Sequence, residues 1–334
     1  MAGPDDRYPA VATHDAATDR PPSAWSGRDD GPGPEHARWH TVMTGWPPEP
    51  RLERADAVLI GFASDEGVRR NGGRVGAAEG PEALRGGLAS LADPGLALAD
   101  AGDVVVADGD LEAGQARLGA VVARVLEAGS LPVVLGGGHA VAYGSYRGWA
   151  AHLAGRPGER WGVLNIDAHF DLRADELPSS GTPFLQMASA EAAAGRDVRY
   201  AVVGISRANN TRVLFDAAAA LGVPFLEDDS CTPDAVRAFL TPLLADVDRL
   251  HLSIDLDALP ACVAPGVSAP AGFGIGLDAV RAAVRAVAAS GKLGLLEVAE
   301  LNPRFDVDAR TARTAARLID EALRTHAAAN ARPS

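Results

Sequence analysis

A chain of 334 residues, 47% of them apolar, can bury a sizeable core, and its length admits one large or two ordinary domains. The 44 acidic residues outnumber the 31 basic ones, for a formal charge of -13, which disfavours long-range attraction to nucleic acid or to an anionic membrane and leaves a small-molecule partner as the default. Only Cys231 and Cys262 are present, in no CxxC pair, no stretch approaches the roughly 18 apolar residues of a membrane span, and Asp5, Asp6 and Asp15 stand where a secretory leader needs an apolar run, so a cytoplasmic protein without disulfides or thiolate metal sites is expected.

Residues 1–50 are rich in Pro, Gly, Asp and Arg and show no apolar periodicity, which predicts a mostly flexible arm from which Trp25, Trp39 and Trp46 could dock onto the body. From Ala57 onward short apolar runs alternate with longer amphipathic ones, the pattern of repeated βα units around a parallel sheet. Strands are expected at Ala57 to Phe62, Ala97 to Val105, Leu131 to Leu135, Trp161 to Ile166, Val198 to Gly204, Val223 to Leu226, Arg249 to Ile254 and Leu293 to Val298. Pro81 opens a helix with Leu84, Leu88 and Leu91 on one face, Leu111 opens another, and a last helix is expected from about Ala309 to Leu323. With no internal repeat and no polar linker, residues 51–330 read as a single catalytic domain. In such sheets ligands sit at the carboxyl ends of the strands.

Three strand ends carry chemistry. Leu131 to Leu135 runs into Gly136-Gly137-Gly138-His139, where glycines let backbone approach a site and deliver one imidazole; by itself this reads rather as a flexible turn with an incidental histidine. Val163 to Ile166 runs into Asp167-Ala168-His169-Phe170-Asp171, and a period of two turns Asp167, His169 and Asp171 to one side, a crowding that is costly without a cation among them. Leu252 to Ile254 runs into Asp255-Leu256-Asp257, a DxD that alone is a weak signal. Together they supply two imidazoles and four carboxylates without sulfur, a donor set suited to Mn²⁺ rather than structural zinc, and four carboxylates offset two divalent cations that could acidify a water. At a fourth end, Glu300 lies just beyond an apolar run, placed either to pair with a planar amidine or to serve as a cap or salt bridge.

Gly-Gly-Gly-His at 136–139, Asp-Ala-His-Phe-Asp at 167–171, Ser-Ile-Asp-Leu-Asp at 253–257 and Glu-Leu-Asn-Pro at 300–303 resemble, in order and spacing, the four signatures of the ureohydrolase (arginase and agmatinase) family. With Gly73-Arg74-Val75-Gly76-Ala77 and Gly80-Pro81, the likeness spans roughly residues 57–325. It implies a three-layer α/β/α fold with a mostly parallel eight-stranded sheet, trimeric or hexameric homo-oligomers, and two Mn²⁺ per subunit. By position, His139, Asp167, Asp171 and Asp255 would hold one ion, and Asp167, His169, Asp255 and Asp257 the other, with Asp167 and Asp255 bridging. Asp171 would also relay a proton and Glu300 would hold amidinium nitrogens.

Guanidine-cleaving relatives have His where this chain has Ser180, in Ser179-Ser180-Gly181-Thr182-Pro183-Phe184. That serine, Asp171-Leu172-Arg173, Ser206-Arg207 with Asn210, and Asn302-Pro303-Arg304 resemble the formimidoylglutamase branch most, which implies conversion of N-formimino-L-glutamate and water to L-glutamate and formamide. Arg207, Asn210, Arg74, Arg173 and Ser180 are the candidate substrate contacts, although any of these arginines could be a surface charge. One departure is Ala140, where this branch usually has Glu; it removes a supporting acceptor but no ligand. The rival readings are a guanidine hydrolase acting on agmatine or a guanidino acid, and a catalytically silent metal-binding homologue.

Overall fold

In the computed structural model, which describes residues 19–47, 53–156 and 158–331, the apolar runs become strands, the central ones buried on both faces, and two edge strands are more open. The strands are β1 (Thr44–Gly45), β2 (Ala57–Ala63), β3 (Leu98–Val105), β4 (Leu131–Leu135), β5 (Trp161–Ile166), β6 (Arg199–Ile205), β7 (Phe225–Glu227), β8 (Arg249–Asp255) and β9 (Leu293–Ala299). All neighbours pair parallel, in the order β1-β3-β2-β4-β9-β8-β5-β6-β7. Burial on both faces is why β2 and β4 read as continuous apolar segments and not as alternating ones.

Alternate residues feed two core layers. Ala57 and Leu59 of β2 and Leu131, Val133 and Leu135 of β4 face one layer, while Val58, Ile60, Phe62 and Val134 face the other. The first layer is closed by α1 (Trp39–Val42), α3 (Gly80–Ala89), α8 (Pro233–Asp246), α9 (Leu277–Ala289) and α10 (Arg310–Asn330). The second is closed by α4 (Leu111–Glu127), α5 (Val141–Leu153), α6 (Pro183–Ala193) and α7 (Arg212–Ala220). A short α2 (Glu66–Arg70) follows β2. The result is the three-layer α/β/α arrangement expected. Helix starts follow local chemistry: Asp110 accepts a hydrogen bond from Ala113 N at 2.9 Å to cap α4, and Thr232 accepts from Ala235 N ahead of Pro233 in α8. Among the described residues no helix is long and apolar enough to cross a membrane.

The sheet has nine strands where eight were expected. The extra one is β1, two residues that pair Thr44 with Ala99 and Gly45 with Asp100, too short to leave a periodic signal. It lies in the stretch read as a flexible arm, of which 1–18 and 48–50 fall outside the described residues. Residues 19–47 pack on the body because their indoles find both apolar cover and acceptors. Trp39 is fully buried and donates to Asp320 Oδ1 at 3.1 Å, Trp25 donates to Asp100 Oδ2 at 2.8 Å and stacks on Trp39, and Trp46 donates to Glu53 O. Arg20 and Asp103 exchange backbone hydrogen bonds beside them.

Candidate metal centre

Four adjacent central strands, β4, β9, β8 and β5, end at one edge of the sheet, and each releases a polar side chain there. The turn after β4 passes so close to the chain after β2 that a Cβ at Gly137 would lie 1.9 Å from Ser64 O, which only glycine permits. It leads to His139 at the entry to α5. His139 Nδ1 lies 3.2 Å from Asp167 Oδ2, 3.0 Å from Asp171 Oδ2 and 2.9 Å from Asp255 Oδ2. His169 Nδ1 lies 3.1 Å from Asp257 Oδ2 and 3.5 Å from Asp167 Oδ1. The six side chains singled out in the sequence thus converge. Two triads, His139 with Asp167 and Asp255, and Asp167 with His169 and Asp257, have ligand atoms within 4.8 Å of one another. Asp167 is common to both, whereas Asp255 joins only the first and spends Oδ1 on Asp257 N at 2.8 Å.

A ring nitrogen carries at most one proton, so three carboxylate oxygens around His139 Nδ1 cannot all be satisfied by hydrogen bonding. His139 Nδ1, Asp257 Oδ1 and Glu300 Oε2 are buried without a hydrogen-bond partner. Orphaned donor atoms of nitrogen and oxygen only, around shared carboxylates, fit hard or borderline divalent cations. The titration pattern has the same cause. Burial, with the charge of Asp167 beside it, pushes Asp171 up to about 6. Burial, joined by Asp257, pushes Glu300 up to about 8 against the hydrogen bond from His139 N. For His169 burial works the other way, yet Asp257 and Asp167 hold it up at about 12. The cluster gathers protons to offset crowded negative charge, and cations would compete for those positions.

Polar residues inside the strands, joined by Ser145 of α5, hold the ligands. His139 Nε2 is 2.9 Å from Ser253 Oγ, Ser253 donates to Glu297 Oε1 at 2.9 Å, and Ser145 donates to Glu297 Oε2. With Nε2–H donating into that chain, the Nδ1 lone pair is left facing the carboxylates. Asn165 Nδ2 donates to Asp167 Oδ2 at 2.8 Å. Sequence reasoning passed over these residues, although a buried Glu, Ser or Asn within an apolar strand was a usable signal. Asp171 and Glu300 sit at φ 50° and 68°, a left-handed conformation that non-glycine residues adopt at a cost.

Beside the cluster lies a cavity of about 300 Å³ bordered by Asn71, Arg74, Arg173, Ser180, Ser268 and Glu300. Arg74 is fixed: Nε donates to Ser268 O at 2.9 Å, Nη2 donates to Val267 O at 2.5 Å, and the guanidinium lies 3.9 Å over the Phe305 ring. Arg173 is exposed and runs along Gly181. Among the described residues neither arginine has a carboxylate partner. Ser180 Oγ accepts from Asn71 Nδ2 at 3.1 Å. The other two expected substrate contacts are not at the cavity. Arg207 is spent on Glu227, with Nε donating at 2.8 Å, and on the Phe215 ring. Asn210 is buried, accepting from Phe170 N and donating to Ala168 O and Ser206 O, so it braces the backbone between the ligands of β5. Ala140 is buried beside Gly67, and its carbonyl accepts from Gln115 Nε2 at 2.7 Å.

Comparison with known proteins agrees with this arrangement. The sequence model of the arginase family matches residues 55–324. A formimidoylglutamase of Nocardia farcinica is 55% identical over 308 residues, covering 92% of this chain and 98% of that protein. The structure of Trypanosoma cruzi formiminoglutamase with Mn²⁺ is similar at a TM-score of 0.75 and 29% identity, covering 85% of this chain and 96% of that one. An arginase from Bacillus subtilis is similar at 0.69 and 26%, covering 80% and 98%.

Proposed function

The chain belongs to the arginase family, and from that premise we propose that it hydrolyses N-formimino-L-glutamate to L-glutamate and formamide, with two Mn²⁺ per subunit in one catalytic domain over residues 51–330, as a cytoplasmic homo-oligomer. The observation that carries the reading is the conjunction at one cavity of six converging nitrogen and oxygen ligands with, among the described residues, one unpartnered carboxylate oxygen and two guanidiniums without acidic partners. Relatives named formimidoylglutamase at 43–55% identity support the substrate, and the manganese in the Trypanosoma cruzi structure supports the metal.

His139, Asp167, Asp171 and Asp255 would hold one cation, and Asp167, His169 and Asp257, with Asp255, the other. Bound there, the cations would supply an acidified water at neutral pH and offset the four carboxylates. Glu300, whose Oε2 has no other partner, pairs with the amidinium N–H groups of the substrate and orients its carbon. Water adds to that carbon and the bond to the glutamate nitrogen breaks. Asp171 receives a proton from the attacking water and passes it to the departing amine, a task served by its place beside His139 and at the border of the cavity. Arg74 and Arg173 face the two substrate carboxylates, Arg74 already locked by its carbonyl and aromatic contacts. Agmatine ends in an ammonium, which these arginines repel, and arginine carries one carboxylate at a longer reach.

Parallel assays with Mn²⁺ test this: formamide and glutamate release from N-formimino-L-glutamate should exceed urea release from arginine or agmatine in kcat/KM. Faster urea release would reject the substrate assignment and leave the metal centre standing.

A further inference from the structure

The cavity has two walls that come from distant parts of the chain. One is the segment leaving α2, with Asn71, Gly72, Gly73 and Arg74; the other is the segment from Arg173 to Ser180. Residues 173–177 of the second wall are exposed, and its own ties, Arg173 N to Gly181 O and Ser179 N to Thr182 Oγ1, are local. What joins the walls is Arg70. Its side chain is 13% exposed and uses all five donors: Nε to Glu66 Oε1 at 2.9 Å, Nη1 to Glu112 Oε1 at 2.7 Å and to Pro178 O at 3.1 Å, Nη2 to Gly109 O at 3.0 Å and to Glu112 Oε2 at 3.1 Å. Two further links run parallel to it, Asn71 Nδ2 to Ser180 Oγ at 3.1 Å and Ser180 N to Gly67 O at 3.0 Å.

We propose that Arg70 is a positioning residue that clamps the two cavity walls together and, through them, sets affinity for the carboxylate end of the substrate without touching substrate or metal. The inference rests on the substrate reading above. Arg74 follows the clamp by four residues on one wall, and Arg173 precedes the clamped Pro178 by five on the other. The Arg74 guanidinium is held by Ser268, Val267 and Phe305, so what Arg70 sets is how the second wall, which carries Arg173, stands against it. Only a planar five-donor fork can hold two carboxylates and two carbonyls at once; a lysine ammonium offers three donors from a single point. The six metal ligands lie on other segments, apart from Asp171 at the root of the second wall, so binding of the glutamyl moiety and the chemical step should respond differently to loss of the clamp.

The test is Arg70→Lys in the Mn²⁺-loaded enzyme, which keeps the cation beside Glu66 and Glu112. KM for N-formimino-L-glutamate and the calorimetric Kd for L-glutamate should each rise on the order of tenfold, the scale of a small misplacement of binding groups. Turnover number should stay within about threefold, and Mn²⁺ affinity, measured by calorimetry, should not change. Should the lysine variant fail to fold, Glu112→Gln, which loosens Arg70 from outside the cavity lining, must show the same KM-selective loss. Unchanged KM and glutamate affinity overturn the clamp, as does an equal loss of turnover and Mn²⁺ affinity. If the wild-type protein neither releases formamide nor binds L-glutamate, the substrate reading fails and the clamp with it; if it does both, wild-type behaviour in the variants sinks the clamp alone.

Discussion

Replacing Glu300 with glutamine separates substrate recognition from metal binding. Glu300 Oε1 accepts from His139 N at 2.7 Å, and the carbonyl oxygen of a glutamine can keep that bond; Oε2, buried and unpartnered, would be replaced by an NH₂ group. The variant thus presents donors where an amidinium also presents donors, and it removes the charge that makes the bond charge-assisted. Loss of one such bond costs roughly 1.5–3 kcal/mol, which at about 1.4 kcal/mol per tenfold is about 10- to 150-fold in kcat/KM. Initial rates of formamide release at saturating Mn²⁺, with bound metal quantified on the same samples, read both halves of the expectation: metal retained, catalysis reduced. Metal lost while catalysis at saturating Mn²⁺ stays intact would refute the role given to Glu300.

Three further outcomes are expected. Asp257→Ala should leave one Mn²⁺ per chain, whereas Asp167→Ala, which removes the carboxylate common to both triads, should cost both; metal analysis after gel filtration distinguishes them. Trp39→Ala should destabilise the fold by about 3–5 kcal/mol in denaturant unfolding, since it empties a fully buried site and leaves Asp320 with Arg324 alone, and should speed proteolysis of the segment before Ala57. Burial pushes Glu191 up, but hydrogen bonds from Arg196 and Tyr146 prevail and hold it below its ordinary value of 4.5, so its contribution is present above that value and is lost as pH falls through its lower folded value. The stability gap between wild type and Glu191→Gln, followed by thermal unfolding, should accordingly be widest near neutrality and close on acidification.

The parallel sheet was legible because strands covered on both faces must be apolar along their whole length, and an acidic residue at the end of such a run is costly to bury unless a cation or a hydrogen-bond donor meets it there. β1 was not legible, because two residues carry no period and its attachment depends on tryptophans whose acceptors, Asp100 and Asp320, are far along the chain. The substrate contacts divided for a related reason. Residue type marks Arg74, Arg173, Arg207 and Asn210 as able to bind carboxylates, but not which of them the fold has already spent. Arg207 meets Glu227 only once β6 and β7 are paired, and Asn210 turns back on carbonyls of its own neighbourhood. Arg70 was invisible as a clamp since its partner Pro178 lies 108 positions away.

The order of the strands explains how the strained residues hold their shape. β9 and β8, the last to be made, insert between β4 and β5, so the turns carrying His139 and Glu300 become neighbours despite a separation of 161 residues. Each then fixes the other. Glu300 N donates to Gly137 O at 2.8 Å, and the Glu300 side chain accepts from His139 N. A left-handed non-glycine residue costs on the order of 1–3 kcal/mol and persists only where its surroundings over-determine it. Here the over-determination is reciprocal: the turn after β4 supplies the acceptor that holds Glu300 in its left-handed conformation, and Glu300 supplies the acceptor that aims the His139 backbone at the edge of the sheet. Neither turn has a local reason to adopt its conformation, so the centre forms only once all four central strands are in register.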